Sequence, residues 1–319
     1  MTGKATETGS RPASSGAIAH NFADLGTLRL HYAETGVSEA PLVLLLHGFP
    51  EFWYCWKAIL PKLGRAFHAV APDMRGYNLS DKPTDLKAYH IRALVQDVLD
   101  LADHFKAEKF YLVAHDWGAA IAYAVAIAKP ERIKGLVVLN GAHPYIFAEL
   151  LNRNPAQIES SRYIAEFQEA GIEGRLLENG CEWLMNWTFR DLHARGLMRD
   201  EDLDAYRAAW ERPGAMTAML NYYRATPLRP ATRETFGKGT GLDPAAFRVD
   251  VPTLVLWGEA DRALITENLD GLEKFIPDLQ IIRLPDVGHW VTHEAPERAF
   301  REISDFLTRQ MRKNAHAKA

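Results

Sequence analysis

Residues 110–120 read Phe110-Tyr111-Leu112-Val113-Ala114-His115-Asp116-Trp117-Gly118-Ala119-Ala120. An apolar run followed by small residues predicts a buried strand that turns sharply into a helix. Asp116 stands at the turn, in the place that Ser takes in the Gly-x-Ser-x-Gly elbow, and Ala114 replaces the first Gly. The elbow lifts its middle side chain above the sheet at a helix N-terminus. The segment therefore indicates either a carboxylate nucleophile or an ordinary Asp that caps the following helix.

A carboxylate at this turn changes the chemistry that is available. The hydroxyl of Ser suits attack on acyl carbon, whereas a carboxylate is ionised at neutral pH and can displace a leaving group from saturated carbon. The product of that attack is an ester with the enzyme itself. If Asp116 is a nucleophile, the chain is predicted to be a hydrolase that acts by alkyl transfer.

Composition narrows the class of protein. The chain has 319 residues, 47% of them hydrophobic, which is enough for a large core. A formal net charge of −4 and the lack of a long apolar run predict no binding to nucleic acid and no association with membranes. Two cysteines, Cys55 and Cys181, are too few for a disulfide framework, which favours a reducing, cytoplasmic location. Residues 1–19 are predicted to form a flexible tail.

Short apolar runs alternate with helix-like segments, the pattern of a mostly parallel central sheet with helices on both faces. The predicted strands are Thr27–Tyr32, Leu42–Leu46, Ala66–Ala71, Phe110–Ala114, Leu136–Leu139, Thr253–Trp257 and Gln280–Leu284. This alternation of strands and helices is interrupted between Leu139 and Thr253, where no strand is predicted. That interval predicts helices instead, at Ile158–Glu169, Ile172–Asn186, Asp200–Glu211 and Ala215–Arg224.

An insertion at this point has a functional consequence. It follows the carboxyl end of a strand, where α/β sheets bind ligands, so it predicts a lid over the site. The predicted division is a core formed by residues 20–143 and 236–319, with a helical cap at residues 144–235.

The segment His47-Gly48-Phe49-Pro50-Glu51-Phe52-Trp53 follows another strand with a Gly-containing turn. The backbone amides of Phe49 and Trp117 are predicted to form an oxyanion hole, the arrangement that stabilises a tetrahedral intermediate. A plain tight turn is the alternative interpretation. His47 itself is predicted to be a buried hydrogen-bonding residue.

Two later strand ends supply candidates for an acid and a base. Asp261 follows one strand and His289 the next, in the chain order of nucleophile, acid and histidine. Glu259 and Asp286 compete for the role of the acid, and Asp261 is preferred because of its placement at the strand end. Asn140, after an earlier strand, is a neutral amide that cannot offset an imidazolium charge.

The sequence resembles the epoxide hydrolases of the α/β-hydrolase superfamily from about His20 to the C-terminal helix. The strings that carry the resemblance are His47-Gly48-Phe49-Pro50-Glu51, Asp73-Met74-Arg75-Gly76-Tyr77, His115-Asp116-Trp117-Gly118, Gly288-His289-Trp290 and Asn221-Tyr222-Tyr223-Arg224. The resemblance implies the α/β-hydrolase fold with a helical cap inserted after the sixth strand. It also implies that two lid tyrosines, Tyr223 and Tyr163, donate hydrogen bonds to the epoxide oxygen, with Tyr222 as a rival for the former.

The expected reaction has two halves. Asp116 attacks an epoxide carbon while Tyr163 and Tyr223 protonate the opening oxygen. His289, oriented by Asp261, then activates a water that hydrolyses the ester to release a 1,2-diol. We expect no metal and no organic cofactor. The expected partners are a small hydrophobic epoxide and water, and both a monomer and a homodimer remain open.

Two other functions remain alternatives. A haloalkane dehalogenase shares the nucleophile and the relay, and the indole of Trp117 would suit a halide, but Phe49 stands where many dehalogenases carry a second halide-binding Asn. A lid tryptophan, Trp183, Trp187 or Trp210, is the possible substitute. A non-catalytic member of the fold that binds a hydrophobic ligand is the other. The substrate pocket is predicted to include six aromatic residues: Phe49, Trp117, Trp183, Trp187, Tyr222 and Trp290.

Overall fold

A sheet of eight strands forms the centre of the protein in residues 16–316, the part of the chain that the computed structural model describes. The strands are β1 (Ala19–Asp24), β2 (Arg29–Thr35), β3 (Leu42–Leu46), β4 (His68–Pro72), β5 (Phe110–His115), β6 (Ile133–Leu139), β7 (Thr253–Gly258) and β8 (Leu279–Leu284). Their order across the sheet is β1-β2-β4-β3-β5-β6-β7-β8. β2 is antiparallel to β1 and β4, and all other neighbours are parallel, which confirms the predicted sheet.

The sequence prediction missed the strand at one edge of this sheet. β1 is mostly exposed and carries polar side chains, so it has no apolar signature, and it forms because it pairs with β2. Ala19, assigned to the flexible tail, therefore belongs to a strand, while residues 1–15 of that predicted tail lie outside the described residues. Four predicted strand limits were also wrong by two or three residues, since β2 begins at Arg29 and continues to Thr35, β4 begins at His68 and β6 begins at Ile133.

Helices cover both faces of the sheet because its central strands are buried on both sides. In β3, Leu42, Leu44 and Leu46 belong to one hydrophobic cluster, whereas Val43 and Leu45 belong to another. The helices of this layer structure are α1 (Leu60–Leu63), α2 (Ile91–His104), α3 (Trp117–Ala128), α10 (Val291–Glu294) and α11 (Pro296–His316). α2 and α3 pack into the first cluster, and α1 and α11 into the second.

Six helices lie between β6 and β7: α4 (Pro144–Arg153), α5 (Pro155–Ser160), α6 (Tyr163–Glu166), α7 (Ile172–Ala194), α8 (Asp200–Trp210) and α9 (Ala215–Ala225). This confirms a helical insertion after the sixth strand. The prediction missed α4, joined α5 and α6 into one helix, and ended α7 too early. α7 also contains a non-helical kink at Glu178–Cys181, where Asn179 and Gly180 have positive φ.

These six helices are the cap that we propose, with residues 144–235 as its limits. The insertion begins at Pro144, directly after β6 and its short connection, and thus stands at the carboxyl edge of the sheet. Among residues 16–316, no helix combines the length and the apolar character needed to cross a membrane.

Candidate active site

The turn between β5 and α3 is tight and strained. Asp116 has φ 50° and ψ −119°, a backbone conformation that non-Gly residues rarely adopt. Two glycines allow the close packing around it: a Cβ at Gly48 would lie 2.3 Å from Cβ of Asp116, and one at Gly118 would lie 2.4 Å from the carbonyl oxygen of Leu46. Asp116 holds the N-cap position of α3, but its side chain makes no capping hydrogen bond. Its carboxylate is therefore directed away from the helix.

The carboxylate of Asp116 receives a hydrogen bond from another strand end. The amide of Phe49, three residues after β3, donates to Oδ1 of Asp116 at 2.8 Å. Trp117 is the first residue of α3, and the first amides of a helix have no acceptor within the helix. Both predicted oxyanion-hole residues therefore stand beside the same carboxylate. The Phe49 contact leaves Oδ2 as the oxygen that faces His289.

Asp261 and His289 form a hydrogen-bonded pair. Nδ1 of His289 donates to Oδ2 of Asp261 at 2.7 Å, and the side chain of Asp261 is fully buried. The amides of Ala263 and Leu264 donate to Oδ1 of Asp261 at 2.7 and 3.0 Å. Burial opposes ionisation of Asp261, but His289 and these hydrogen bonds outweigh it and lower the pKa of Asp261.

The rival acids lie elsewhere. Glu259 forms an ion pair with Arg283 at 2.9 Å, and Asp286 is exposed. Asn140, which the sequence analysis considered only to exclude it as an acid, donates from Nδ2 to Asp261 Oδ2 at 2.7 Å. It therefore helps to hold the acid in place.

His289 also faces the carboxylate of Asp116. Nε2 of His289 is 3.7 Å from Oδ2 of Asp116, which is longer than a hydrogen bond. Burial alone would lower the pKa of His289, but the carboxylates of Asp261 and Asp116 outweigh it and raise that pKa to about 9. The two neighbouring carboxylates therefore favour the protonated form of His289.

A pocket opens over Asp116. It contains about 580 Å³ of empty space, counting the open space at its mouth. Four residues that the sequence analysis selected line it together: Asp116, Trp117, Tyr163 and Tyr223. The rest of the lining is largely apolar and consists of Ala120, Ala142, Pro144, Phe147, Ile164, Thr226, Leu228 and Leu264.

The two tyrosines come from different cap helices and meet in this pocket. Tyr163 begins α6 and Tyr223 lies in α9, and their ring centroids are 5.8 Å apart with the planes at 85°. The ring of Tyr223 also meets the indole of Trp117 at 5.2 Å. Burial, followed by nearby charges and phenols, raises the pKa of both hydroxyls well above the ordinary range. Both phenols are therefore protonated donors at neutral pH.

Comparison with known proteins agrees with this geometry. Residues 41–296 match the family model described as the alpha/beta hydrolase fold. The chain is 32% identical to human epoxide hydrolase 4, over 90% of this chain and 77% of that protein. Its structure matches that of Bacillus megaterium epoxide hydrolase in complex with an inhibitor with a TM-score of 0.84 and 32% identity, over 90% of this chain and 100% of that one.

The chain belongs to the epoxide hydrolases of the α/β hydrolase fold. It is therefore a hydrolase, and the family resemblance inferred from the sequence strings is confirmed. It is also 37% identical to the AB hydrolase superfamily protein YfhM of Bacillus subtilis, over 91% of this chain and 98% of that protein.

Several predicted pocket residues of this epoxide hydrolase do not line the pocket. Phe49 is 2% exposed and packs its ring on Tyr223 at 5.1 Å. Trp183 and Trp187 stack on each other at 5.9 Å, and Trp187 contacts Tyr163 at 5.4 Å from outside the lining. These aromatic residues support the tyrosines and do not form the wall.

Tyr222 and Trp290 are also absent from the pocket lining. Because consecutive helix residues point in different directions, Tyr222 turns from Tyr223 towards the core, where its hydroxyl donates to the carbonyl oxygen of Arg75 at 2.8 Å. Trp290 packs against the ring of His289 at 4.7 Å. The structure thus separates Tyr223 from its rival.

Sequence reasoning missed a buried polar network behind His289. Glu51 is fully buried, with Oε2 3.0 Å from Nδ1 of His115 and Oε1 2.7 Å from Nε2 of His293. Tyr206 of α8 donates to Oε1 at 3.1 Å. Nε2 of His115 lies 2.9 Å from the carbonyl oxygen of His289, so the network supports the loop that carries this residue.

Burial opposes the charge of Glu51, but its hydrogen bonds to His115 and His293 outweigh that effect and lower its pKa. The signal was present in the sequence, since Glu51 ends one of the family strings. A single sequence does not show that His115 and His293 converge on Glu51, so the string alone does not predict the network.

Proposed function

We propose that this epoxide hydrolase converts hydrophobic epoxides to 1,2-diols through a hydroxyalkyl ester on Asp116. The observation that carries the proposal is the shared pocket, in which the carboxylate of Asp116 faces the same space as the phenols Tyr163 and Tyr223. A ring-opening displacement needs these two groups together, since the alkoxide that departs is a poor leaving group without a proton donor.

In the first half of the reaction, Oδ2 of Asp116 attacks an epoxide carbon and the bond from that carbon to the ring oxygen breaks. Tyr163 and Tyr223 donate hydrogen bonds to the departing oxygen, and one of the two phenols gives it a proton, so that it becomes a hydroxyl. The tyrosinate that remains regains a proton from solvent. Oδ1, already held by the amide of Phe49 at 2.8 Å, becomes the carbonyl oxygen of the ester. The geometry supports Oδ2 as the attacking atom because Oδ1 already lies beside the Phe49 amide, where the oxyanion of the second half would form.

In the second half, His289 removes a proton from water and the resulting hydroxide adds to Cγ of Asp116. The amides of Phe49 and Trp117 stabilise the oxyanion. Its collapse breaks the bond to the alkoxide of the product, which takes the proton of the added hydroxyl and leaves as the diol, and the carboxylate of Asp116 is restored. Ester formation neutralises Asp116, one of the two carboxylates that raise the pKa of His289. That pKa therefore falls when the ester forms, so the histidine becomes a base at the step that requires one.

The pocket wall supports a neutral, apolar substrate. In the part of the chain that the structure describes, Asp116 is the only charged residue in the lining, and the other members are aromatic, aliphatic or small apart from Thr226. An anionic epoxide would meet this carboxylate, and the described lining residues include no Lys or Arg to bind the anion. We therefore infer alkyl or aryl epoxides as the substrate class.

The same contacts weigh against a haloalkane dehalogenase. Halide binding requires a second side-chain donor besides Trp117, and the side chain of Phe49 is a hydrocarbon ring that cannot donate a hydrogen bond. Trp210, a possible substitute, donates its indole N–H to the carbonyl oxygen of Pro50 at 2.6 Å. Trp183 and Trp187 lie outside the pocket lining.

The test uses a variant that stops after the first half. His289→Gln is mixed with styrene oxide or with 1-bromobutane, and the intact protein and its Asp116 peptide are weighed, while the parent is assayed for diol and bromide. We expect diol without bromide from the parent and an adduct on Asp116 in the variant. Asp116→Asn is the control and should give neither. Bromide without diol, or a folded variant that binds epoxide without an adduct, would contradict the proposal.

A further inference from the structure

Gln157 is a fully buried polar residue that does not line the pocket. It lies in α5, whose first turn is capped by the side chain of Asn154, with Oδ1 accepting from the amides of Ala156 and Gln157. A buried amide that lacks partners destabilises the folded state, so the hydrogen bonds of Gln157 indicate what it holds.

On the side of the core, Gln157 contacts the loop that carries Asp261, the proposed acid. Its Nε2 donates to the carbonyl oxygen of Ala263 at 2.8 Å, and its Oε1 accepts from the amide of Ile265 at 3.2 Å and from Nδ2 of Asn268 at 2.8 Å. The amide of Ala263 in turn donates to Asp261. Ala263 is thus held from both ends, by the acid at its N–H and by Gln157 at its carbonyl.

On the side of the cap, Gln157 is connected through Ser161 to the helix that carries Tyr163. Its Nε2 also donates to Oγ of Ser161 at 2.8 Å, so both amide protons are used. Ser161 is fully buried, and its carbonyl accepts from the amide of Ile164, within the turn that begins α6 and carries Tyr163. One side chain therefore connects the acid loop of the core with the helix of a proposed proton donor.

We propose that Gln157 is a positioning residue that fixes the acid loop and the Tyr163 helix relative to each other, so that one amide serves both halves of the reaction. This inference rests on the proposed function for the identity of the two halves. It predicts that loss of the amide slows ester formation through Tyr163 and ester hydrolysis through Asp261 and His289. Displacements near 1 Å can slow a reaction about 100-fold, so we expect decreases of about 10- to 100-fold in each half.

The principal variant is Gln157→Met, which keeps the length of the side chain and removes its hydrogen bonds. Single-turnover experiments with styrene oxide, quenched and weighed as intact protein, give the rates at which the ester appears and decays. For comparison, Asp261→Asn should slow mainly the decay and Tyr163→Phe mainly the appearance. Tyr54→Phe is the matched control, because it removes a hydrogen bond from the core to Asp202 of cap helix α8, remote from the acid loop. It should leave both rates unchanged.

A readout without turnover keeps this inference separate from the proposed function. The pKa of His289, about 9 in the parent, should fall in Gln157→Met because Asp261 is held less firmly, and NMR titration of the histidine rings measures it in the absence of substrate. The signal is assigned by its loss in His289→Gln. If the parent makes no diol, the proposed function fails, and the titration still decides the role of Gln157.

Gln157→Glu provides a second variant should Gln157→Met fail to fold. It retains the acceptor for Ile265 and Asn268 but places a carboxylate against the carbonyl of Ala263. Its activity relative to the parent should recover as the pH falls from about 8 to about 6, since protonation restores one donor. A folded variant that melts earlier but keeps both rates and the pKa of His289 would overturn the inference.

Discussion

Replacing Asp116 with Asn should lower the pKa of His289, because the amide resembles the neutral ester in shape and charge. Across the 3.7 Å between Oδ2 of Asp116 and Nε2 of His289, unit charges interact by about 4 kcal/mol at an effective dielectric constant of about 20, and by about 1 kcal/mol in water. The side chain of His289 is 10% exposed, which places the real value between these limits. The imidazole should therefore bind its proton at least about fivefold less tightly, and up to about 1000-fold less.

NMR titration of the His289 ring in parent and Asp116→Asn measures this change directly. In the parent the ring should titrate near pH 9, and in the variant nearer to neutrality. Glu259→Gln is the control, since it removes a carboxylate that pairs with Arg283 and does not touch the histidine. A pKa of His289 that is the same in parent and Asp116→Asn would refute the argument that ester formation converts the imidazolium into a base.

Three further outcomes are expected. Tyr163→Phe and Tyr223→Phe should each slow ester formation about 100-fold or more in rapid-quench assays, and the double variant should abolish it, because general acid catalysis contributes about 10²- to 10⁴-fold. Burial lowers the pKa of His143 to about 4, below its value in the unfolded chain, so its contribution to stability is present above pH 6.5 and is lost as the pH falls towards 4. The free energy of unfolding, measured in urea at pH 6.5 and near pH 4, should decline with pH in the parent. This decline should be smaller in His143→Gln by up to about 3 kcal/mol. Glu51→Gln should reduce the free energy of unfolding by about 3 kcal/mol or more, measured by the same method, since it removes one partner of a buried charged network.

The sheet and the core half of the site could be predicted because local rules determine them. A doubly buried strand must be apolar along its length, and in a parallel sheet the loops after such strands meet at one edge. Asp116 and Asp261 each follow a strand of this kind, and His289 follows the edge strand β8, which runs parallel to β7, so their convergence was predictable from chain order. β1 was not predictable, because an edge strand with polar residues has no apolar pattern of its own and forms by pairing with β2.

The cap half was less predictable because tertiary contacts set its directions. The adjacent residues Tyr222 and Tyr223 have the same chemistry, yet one donates to the carbonyl of Arg75 and the other lines the pocket. Periodicity cannot choose between neighbours when both faces of a helix are buried. The same holds for α4, whose residues Pro144 and Phe147 form part of the wall although the prediction placed no helix there.

The two halves of the site therefore depend on contacts between cap and core. The proposed nucleophile, acid and base belong to loops of the sheet, whereas both proposed proton donors belong to the cap. The distance from Asp116 to the phenols therefore depends on how the cap packs on the core. Several hydrogen bonds hold the cap on the core, among them those of Tyr206 to Glu51, of Tyr222 to the carbonyl of Arg75 and of Gln157 to the carbonyl of Ala263. The first and third also touch the loops of His289 and Asp261. Substitutions at these three contacts should therefore shift the proposed proton donors and the Asp261–His289 pair together, even though none of the three side chains lines the pocket.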